Sequence, residues 1–132
     1  MLDAGVAVGL AVDGSASNDS GNLLSEVRQA LLTTRGRKGP AAMTARQALQ
    51  VATRGGAACL GRDDVGSIQV GKRADIALFA IDGLPHRGAE ADPVAALVFC
   101  NPGPVQHLFV EGKPVVHDGQ LVNLSEATMI WA

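Results

Sequence analysis

Aromatic side chains are scarce in this chain, with one Trp, three Phe and no Tyr among 132 residues. Such a surface lacks the ring platforms on which proteins stack single-stranded bases. An excess of positive charge is missing too: 11 Lys and Arg face 13 Asp and Glu, so there is no basic footprint for a phosphate backbone. No nucleic-acid partner is expected. No apolar run approaches the ~20 residues of a membrane span, and the N-terminus has neither the basic start nor the cleavage site of a signal peptide. No membrane partner and a cytoplasmic location are therefore expected. The two cysteines, Cys59 and Cys100, stand apart rather than in a CxxC pair. That excludes a zinc knuckle or a dithiol redox motif and predicts reduced, buried thiols.

What is present is enough for a folded domain. Hydrophobic residues make up 47% and charged residues 18%, a balance that can bury a core. The length suits one domain and falls well short of a complete barrel.

The stretch "VGLAVDGSASND", Val8 to Asp19, poses the central question. Gly5 to Val12 is a continuous apolar run without alternation, the pattern of a strand covered on both faces in a parallel sheet. It ends on one carboxylate, Asp13. From Asn22 the spacing changes, and Leu23, Leu24, Val27, Ala30 and Leu31 fall on one helical face, with Glu26 near the start and Arg35 and Gly36 near the end. "TRGRKGP", Thr34 to Pro40, reads as a basic, glycine-containing loop. Thr44 and Gln47 have the spacing of a capping box and open a second helix. Its buried stripe is expected to be Ala45, Ala48, Leu49, Ala52, Cys59 and Leu60, with Gly61 as the stop.

Beyond Gly61 the period shortens toward two. "SIQV" and "DIALFAI" read as strands around the turn Gly71-Lys72, and "DPVAALVF" reads as a short helix with proline in its first turn. "VQHLFV", "KPVVHD" and "QLV" predict a three-strand meander, because Glu111-Gly112 and Asp118-Gly119 are two-residue hairpin signals. Ser125 to Trp131 is expected to add a final helical segment. The chain thus offers one parallel-type strand and no parallel neighbours for it, so it reads as the end of a larger structure or as one member of an assembly.

The ordered series carries a resemblance. "VGLAVDGSASND", the helix "NLLSEVRQALL", the segment "TARQALQVATRGGAACLGRDDVGSIQVGKRADIALF" and the tail "VEGKPVVHDGQLV" resemble the C-terminal part of the amidohydrolase superfamily. The similarity is closest to its deaminase and chlorohydrolase branch, which includes 8-oxoguanine deaminase and hydroxydechloroatrazine ethylaminohydrolase. It implies an α/β fold: residues 1–60 as the last strand and helices of a (β/α)8 metal-dependent hydrolase barrel, and residues 61–132 as the C-terminal portion of a composite small β-sandwich domain. Barrel active sites gather at the C-terminal ends of strands, where Asp13 would lie.

By that resemblance Asp13 is the strand-eight aspartate, which binds the metal or its water and shuttles a proton during hydrolytic deamination of a purine such as 8-oxoguanine, or of a triazine. A carboxylate suits the task because it accepts a proton from the attacking water and returns it to the departing amine. On the chain's own chemistry Asp13 equally fits the N-cap of a following turn. Ser15 and Asn18 have two readings as well: they shape the substrate pocket and position Asp13, or they cap the next helix.

The histidine ligands that the family carries on its earlier barrel strands are not found here. His86, His107 and His117 all follow Asp13, in the sheet segment, and read as surface or sheet-packing residues rather than ligands. Zinc, the metal the resemblance implies for the complete enzyme, needs about three protein ligands, and Asp13 alone cannot hold it. The 132-residue chain by itself is therefore expected to be inactive and to hold no stoichiometric zinc. "GSIQVGKR", Gly66 to Arg73, nearly matches a phosphate loop, but Arg73 stands where Ser or Thr is needed and a strand is expected after it. Arg62 to Asp64 reads as a solvated ion pair, and Arg35 to Lys38 as a solvated connection. The unpartnered strand makes a homo-oligomer the expected state; the alternative function is a free-standing, non-catalytic assembly domain with an exposed sheet edge.

Overall fold

The computed structural model describes residues 1–14, 16–18, 20–100 and 103–124. The expected helix at residues 125–131 lies outside the described residues, and so does Ser15.

Two helices form where spacing and caps demand them. Helix α1 spans Leu23–Lys38; the Asn22 side chain accepts from the Leu24 N–H at its start, and Gly39, at φ 95°, closes it with an N–H bond to the Arg35 carbonyl. Gly36 does not end this helix. Arg35, Arg37 and Lys38 occupy its last turn, where positive charge opposes the C-terminal dipole. Arg35 is also anchored, since its Nε donates to the Met43 carbonyl at 2.8 Å and its guanidinium lies 5.5 Å from the Phe99 ring centre. The expected loop over residues 34–40 thus shrinks to its last two residues.

Helix α2, Ala45–Gln50, opens on the full reciprocal capping box of Thr44 and Gln47. It then widens into a π-helical turn, Val51–Gly55, before α3, Gly56–Cys59. The extra residue in that turn breaks the 3.6-residue spacing on which the expected stripe rested. Val51 is buried, whereas Leu60 is 75% exposed and Cys59 is exposed as well. Cys100 is half-buried, so neither thiol is sequestered as expected. Gly61 does stop the helix: its N–H bonds to the Ala58 carbonyl and that of Arg62 to the Ala57 carbonyl, the paired bonds of a Schellman motif.

The core gathers Val27 and Leu31 of α1, Met43, Ala45 and Ala48 at α2, and Val98 of α4, which spans Pro93–Phe99 with Asp92 as its cap. Val27, Leu31 and Val98 are the large side chains removed fully from solvent, and each such burial contributes about 1.5–3 kcal/mol. This packing runs across the expected boundary at residue 60, since α4 completes the core of the N-terminal helices.

A single antiparallel sheet follows, in the order β1-β2-β3-β4, with β1 at Ile76–Leu78, β2 at His107–Val110, β3 at Lys113–His117 and β4 at Gln120–Leu121. Both two-residue connections form as the sequence predicts. Glu111 and Gly112 take φ values of 52° and 77°, Asp118 and Gly119 take 49° and 75°, the left-handed pairs that match the twist of a hairpin. Leu108 faces Val116 while Phe109 faces Pro114, so β3 carries a bulge at Val115. Pro114 sits beside it, beyond the reach of β4, where a missing N–H costs no ladder bond. Residues 67–70 form no strand: Ile68 is 79% exposed and Val70 wholly so, because no partner strand lies beside them among the described residues. No second sheet packs on the first among the described residues.

Residues 6–12 are the main departure. They take no regular secondary structure and join no ladder among the described residues, and Val6 is 51% exposed. What seats them is a glycine pair. A Cβ on Gly55 would lie 2.1 Å from the Val8 carbonyl oxygen, and one on Gly9 would lie 3.0 Å from the Gly56 Cα, so backbone meets backbone with no side chain between. Leu10 then reaches the core cluster.

Candidate active site

Asp13 ends this seated segment. Its φ of 63° is left-handed, a region that non-glycine residues enter rarely and Asp tolerates better than most. The residue is exposed, and its carboxylate makes no hydrogen bond or ion pair among the described residues. No capping bond to Asp13 is seen there either. The turn beyond it is held by the Gly14 carbonyl, which accepts from the Ser17 and Asn18 amides at 2.9 and 3.0 Å. Helix α1 has its own cap, Asn22.

Asn18 neither caps α1 nor bonds to Asp13 among the described residues. Its Oδ1 accepts from the Ser20 amide and hydroxyl, a local turn, and its Nδ2 donates to Glu26 Oε1 at 2.8 Å. The loop after Asp13 is thereby tied to the first turn of α1. Glu26, which spacing marks only as a helix-start acid, is the anchor that sequence reasoning missed. A concavity of about 350 Å³ lies beside the same N-terminal segment, lined by Val6, Val8, Met43, Gln47 and Gly55 among others, but Asp13 is not on its wall.

The segment 61–75 is a strap rather than a phosphate loop. Arg62 clasps Asp64 through both Nε and Nη2, at 2.9 and 2.7 Å, and Arg73 Nε reaches Asp64 Oδ2 at 2.7 Å while its Nη1 pairs with Glu111. These guanidinium hydrogen bonds hold the Asp64 carboxyl well below the usual carboxylate range. Asp75 accepts from the Glu111 amide at 2.8 Å. Gly66, at φ 82°, passes so close to the helices that a Cβ would lie 2.9 Å from that of Ala57. The spacing of glycines and charges between residues 66 and 75 therefore serves to strap the helical layer to the β2–β3 turn.

The three histidines separate. His86 is buried in the 3-10 turn Leu84–His86, with neither ring nitrogen hydrogen-bonded among the described residues. His107 and His117, expected as unconnected sheet residues, stand together: their ring centres are 4.9 Å apart, and with Asp118 they bring three potential ligand atoms within 4.8 Å of one another. The signal was hidden by the bulge. A regular ladder extended from Val110 and Lys113 would set His107 opposite Val116; the extra residue sets it opposite His117 instead. Asp13 joins no cluster of three or more potential ligands among the described residues.

The chain is 45% identical over 127 residues to 8-oxoguanine deaminase of Pseudomonas aeruginosa, covering 96% of this chain and 28% of that protein. It is 39% identical over 128 residues to 5-methylthioadenosine/S-adenosylhomocysteine deaminase of Pelotomaculum thermopropionicum, covering 96% and 29%. Among solved structures, atrazine chlorohydrolase of Arthrobacter aurescens complexed with zinc superposes with a TM-score of 0.88 at 38% identity, over 98% of this chain and 29% of that one. An adenosine deaminase of Xanthomonas campestris with bound zinc gives 0.88 at 28% identity, over 98% and 30%. The chain thus spans less than a third of the length of these relatives and corresponds to their C-terminal part. They lend no support to a free-standing assembly domain. The amidohydrolase family profile covers residues 1–115, from the seated segment through the glycine-pair helices and the strap to β3, and with the relatives it establishes that the chain belongs to the amidohydrolase family.

Proposed function

We propose that the chain contributes Asp13 and the loop behind it to the active site of a metal-dependent aminohydrolase that removes an amino or alkylamino group from a purine or triazine ring. The observation that carries this reading is Asp13 itself: an exposed carboxylate without a partner among the described residues, held in a left-handed conformation at the tip of a segment whose seat is backbone on backbone. Unusual backbone conformations of that kind concentrate where a side chain must be aimed. The deaminase and chlorohydrolase relatives support the reaction class.

In this role Asp13 accepts a proton from the attacking water and delivers it to the departing amine. Asn18, through its bond to Glu26, holds the following loop against α1 and so fixes the direction in which the segment's tip points. Ser15 is proposed to line the substrate side of the same loop. Zinc, present in two of the related structures, would polarise the water. The donor set around Asp13 does not fit a complete zinc site: one carboxylate is a single ligand where about three are needed, so the isolated chain is inactive in this proposal and holds no zinc at Asp13.

The test joins this chain to the remainder of a related enzyme and measures kcat/KM toward 8-oxoguanine and an N-alkylated triazine. Asp13→Asn keeps the shape and removes the proton acceptor, with an expected loss of about 10²–10⁴-fold. Turnover within a few-fold of the parent overturns the role. Which ring is turned over faster decides the substrate. Self-association of the isolated chain through residues 6–12 is proposed from their unpaired, apolar backbone. Light scattering at dilution checks it, and a stable monomer removes it.

A further inference from the structure

His107, His117 and Asp118 lie on β2, on β3 and in the turn after β3, in a part of the molecule that the proposed reaction leaves unused. Three separate devices bring them together. The bulge sets His117 across from His107. The left-handed pair Asp118 and Gly119 turns the chain back at once, and the Asp118 carboxylate lies beside a nitrogen of each ring. The Gly119 N–H donates to the Gln106 carbonyl at 2.9 Å, which fastens the turn to the start of β2.

The resulting distances suit a metal. His117 Nδ1 stands 3.2 Å from Asp118 Oδ2, and His107 Nε2 stands 3.6 Å from Asp118 Oδ1. In a tetrahedral zinc site with bonds of about 2.0–2.1 Å, neighbouring ligand atoms are about 3.3 Å apart. The two histidines thus face different oxygens of one carboxylate, and three ligand atoms, one from each residue and all within 4.8 Å of one another, close on a single ion by rotation of the exposed His117 and Asp118 side chains. Two imidazoles and one carboxylate form a donor set for borderline divalent cations such as zinc, with a further position left to water.

We propose that this hairpin binds one zinc ion through His107, His117 and Asp118. The site is separate from Asp13 and does not rest on the catalytic reading. It departs from the expectation that the chain holds no zinc, which rested on the absence of the family's histidine ligands and on Asp13 alone being too few. Binding has one evident cost. The Asp118 amide donates to His107 Nδ1 at 3.4 Å, and coordination through either ring nitrogen gives up that long, exposed bond. The Gln106 side chain donates at 3.4 Å to Asp118 Oδ1, the oxygen that faces His107. Only three ligands on an open surface hold the ion, so chelators strip it during purification.

Titration of the full 132-residue chain with zinc sulfate, followed by calorimetry and by NMR of the imidazole nitrogens, tests the site. One zinc per chain is expected, with the His107 and His117 signals shifting and that of buried His86 unmoved. His107→Ala and His117→Ala should each weaken binding by more than the about 10–100-fold lost when a mere supporting partner of a ligand is removed. His117→Gln, which keeps an exposed polar side chain on the strand, should behave as His117→Ala does, and backbone NMR spectra establish that each variant is folded. Asp13→Asn should leave the titration unchanged. The proposal is overturned by no binding at millimolar zinc. It is equally overturned by binding that survives the histidine variants, or that vanishes instead with Cys59→Ser, the exposed thiol.

Discussion

The extended segment at residues 6–12 and the meander of β2, β3 and β4 are both strand-like in sequence, yet only the second forms a ladder. The meander carries its partners with it: each strand is two residues from the next, and glycine-containing turns set the direction of return. The N-terminal segment has no such neighbour among the described residues, and its position rests on helices instead, through Leu10 in the core and the glycine pair under Val8 and Gly9. Strand character belongs to the sequence of one element; strand pairing belongs to two.

The largest separation of the two regions is expected from Leu31→Ala. Leu31 is fully buried in the cluster that Leu10 leans on, and emptying its site costs about 2–5 kcal/mol. Thermal unfolding should move down, and hydrogen exchange should show residues 8–12 and α1 losing protection before β2 and β3 do. Gly55→Ala is narrower. Its Cβ meets the Val8 carbonyl at 2.1 Å, an overlap that backbone movement must relieve at about 1–3 kcal/mol, so exchange should rise at residues 8–12 while the meander keeps its protection. Gly119→Ala reverses the comparison: a β-carbon at φ 75° costs about 1–2 kcal/mol, which should loosen β3 and β4 and leave the N-terminal segment alone.

The smallest effect concerns the strap that joins the two regions. The Asp64 carboxyl is held below its ordinary pKa by Arg62 and Arg73, so its contribution to stability is fully present above the unfolded value of about 3.9 and is lost as the pH falls toward the lower folded value. The Tm difference between the parent and Asp64→Asn should accordingly shrink on acidification below that range, and shrink also at high salt, since the group is partly exposed. A difference that stays constant down to pH 2 would assign the strap's effect to shape rather than charge.

Local chemistry made much of this legible in the sequence. Thr44 with Gln47, Asp92 before Pro93, and the two left-handed turns are each decided by residues within four positions of one another, and each formed as predicted. Asp13 stood out for a related reason, as a carboxylate closing an apolar run. What sequence reasoning missed depended on single inserted residues or on distant contacts. The π turn brought Ala57 inward and left Leu60 and Cys59 outside; the bulge at Val115 paired His107 with His117; Glu26 became an anchor only because Asn18 folds back to it. Periodicity carries no warning of an extra residue, because the residues on either side keep the composition of their element.

The π turn at Val51–Gly55 has a further consequence. It acts as a one-residue insertion within a helix, and each helical residue advances the azimuth by about 100°. Deleting one residue there would rewind the turn into ordinary α-helix and regain a better hydrogen-bonding geometry. Winding the same five residues as ordinary α-helix without that deletion would instead swing Gly56 and all of α3 around the axis and carry the side-chain-free notch away from Gly9. The irregular turn is thus an angular setting, and the aim of Asp13, five residues beyond Val8, inherits it.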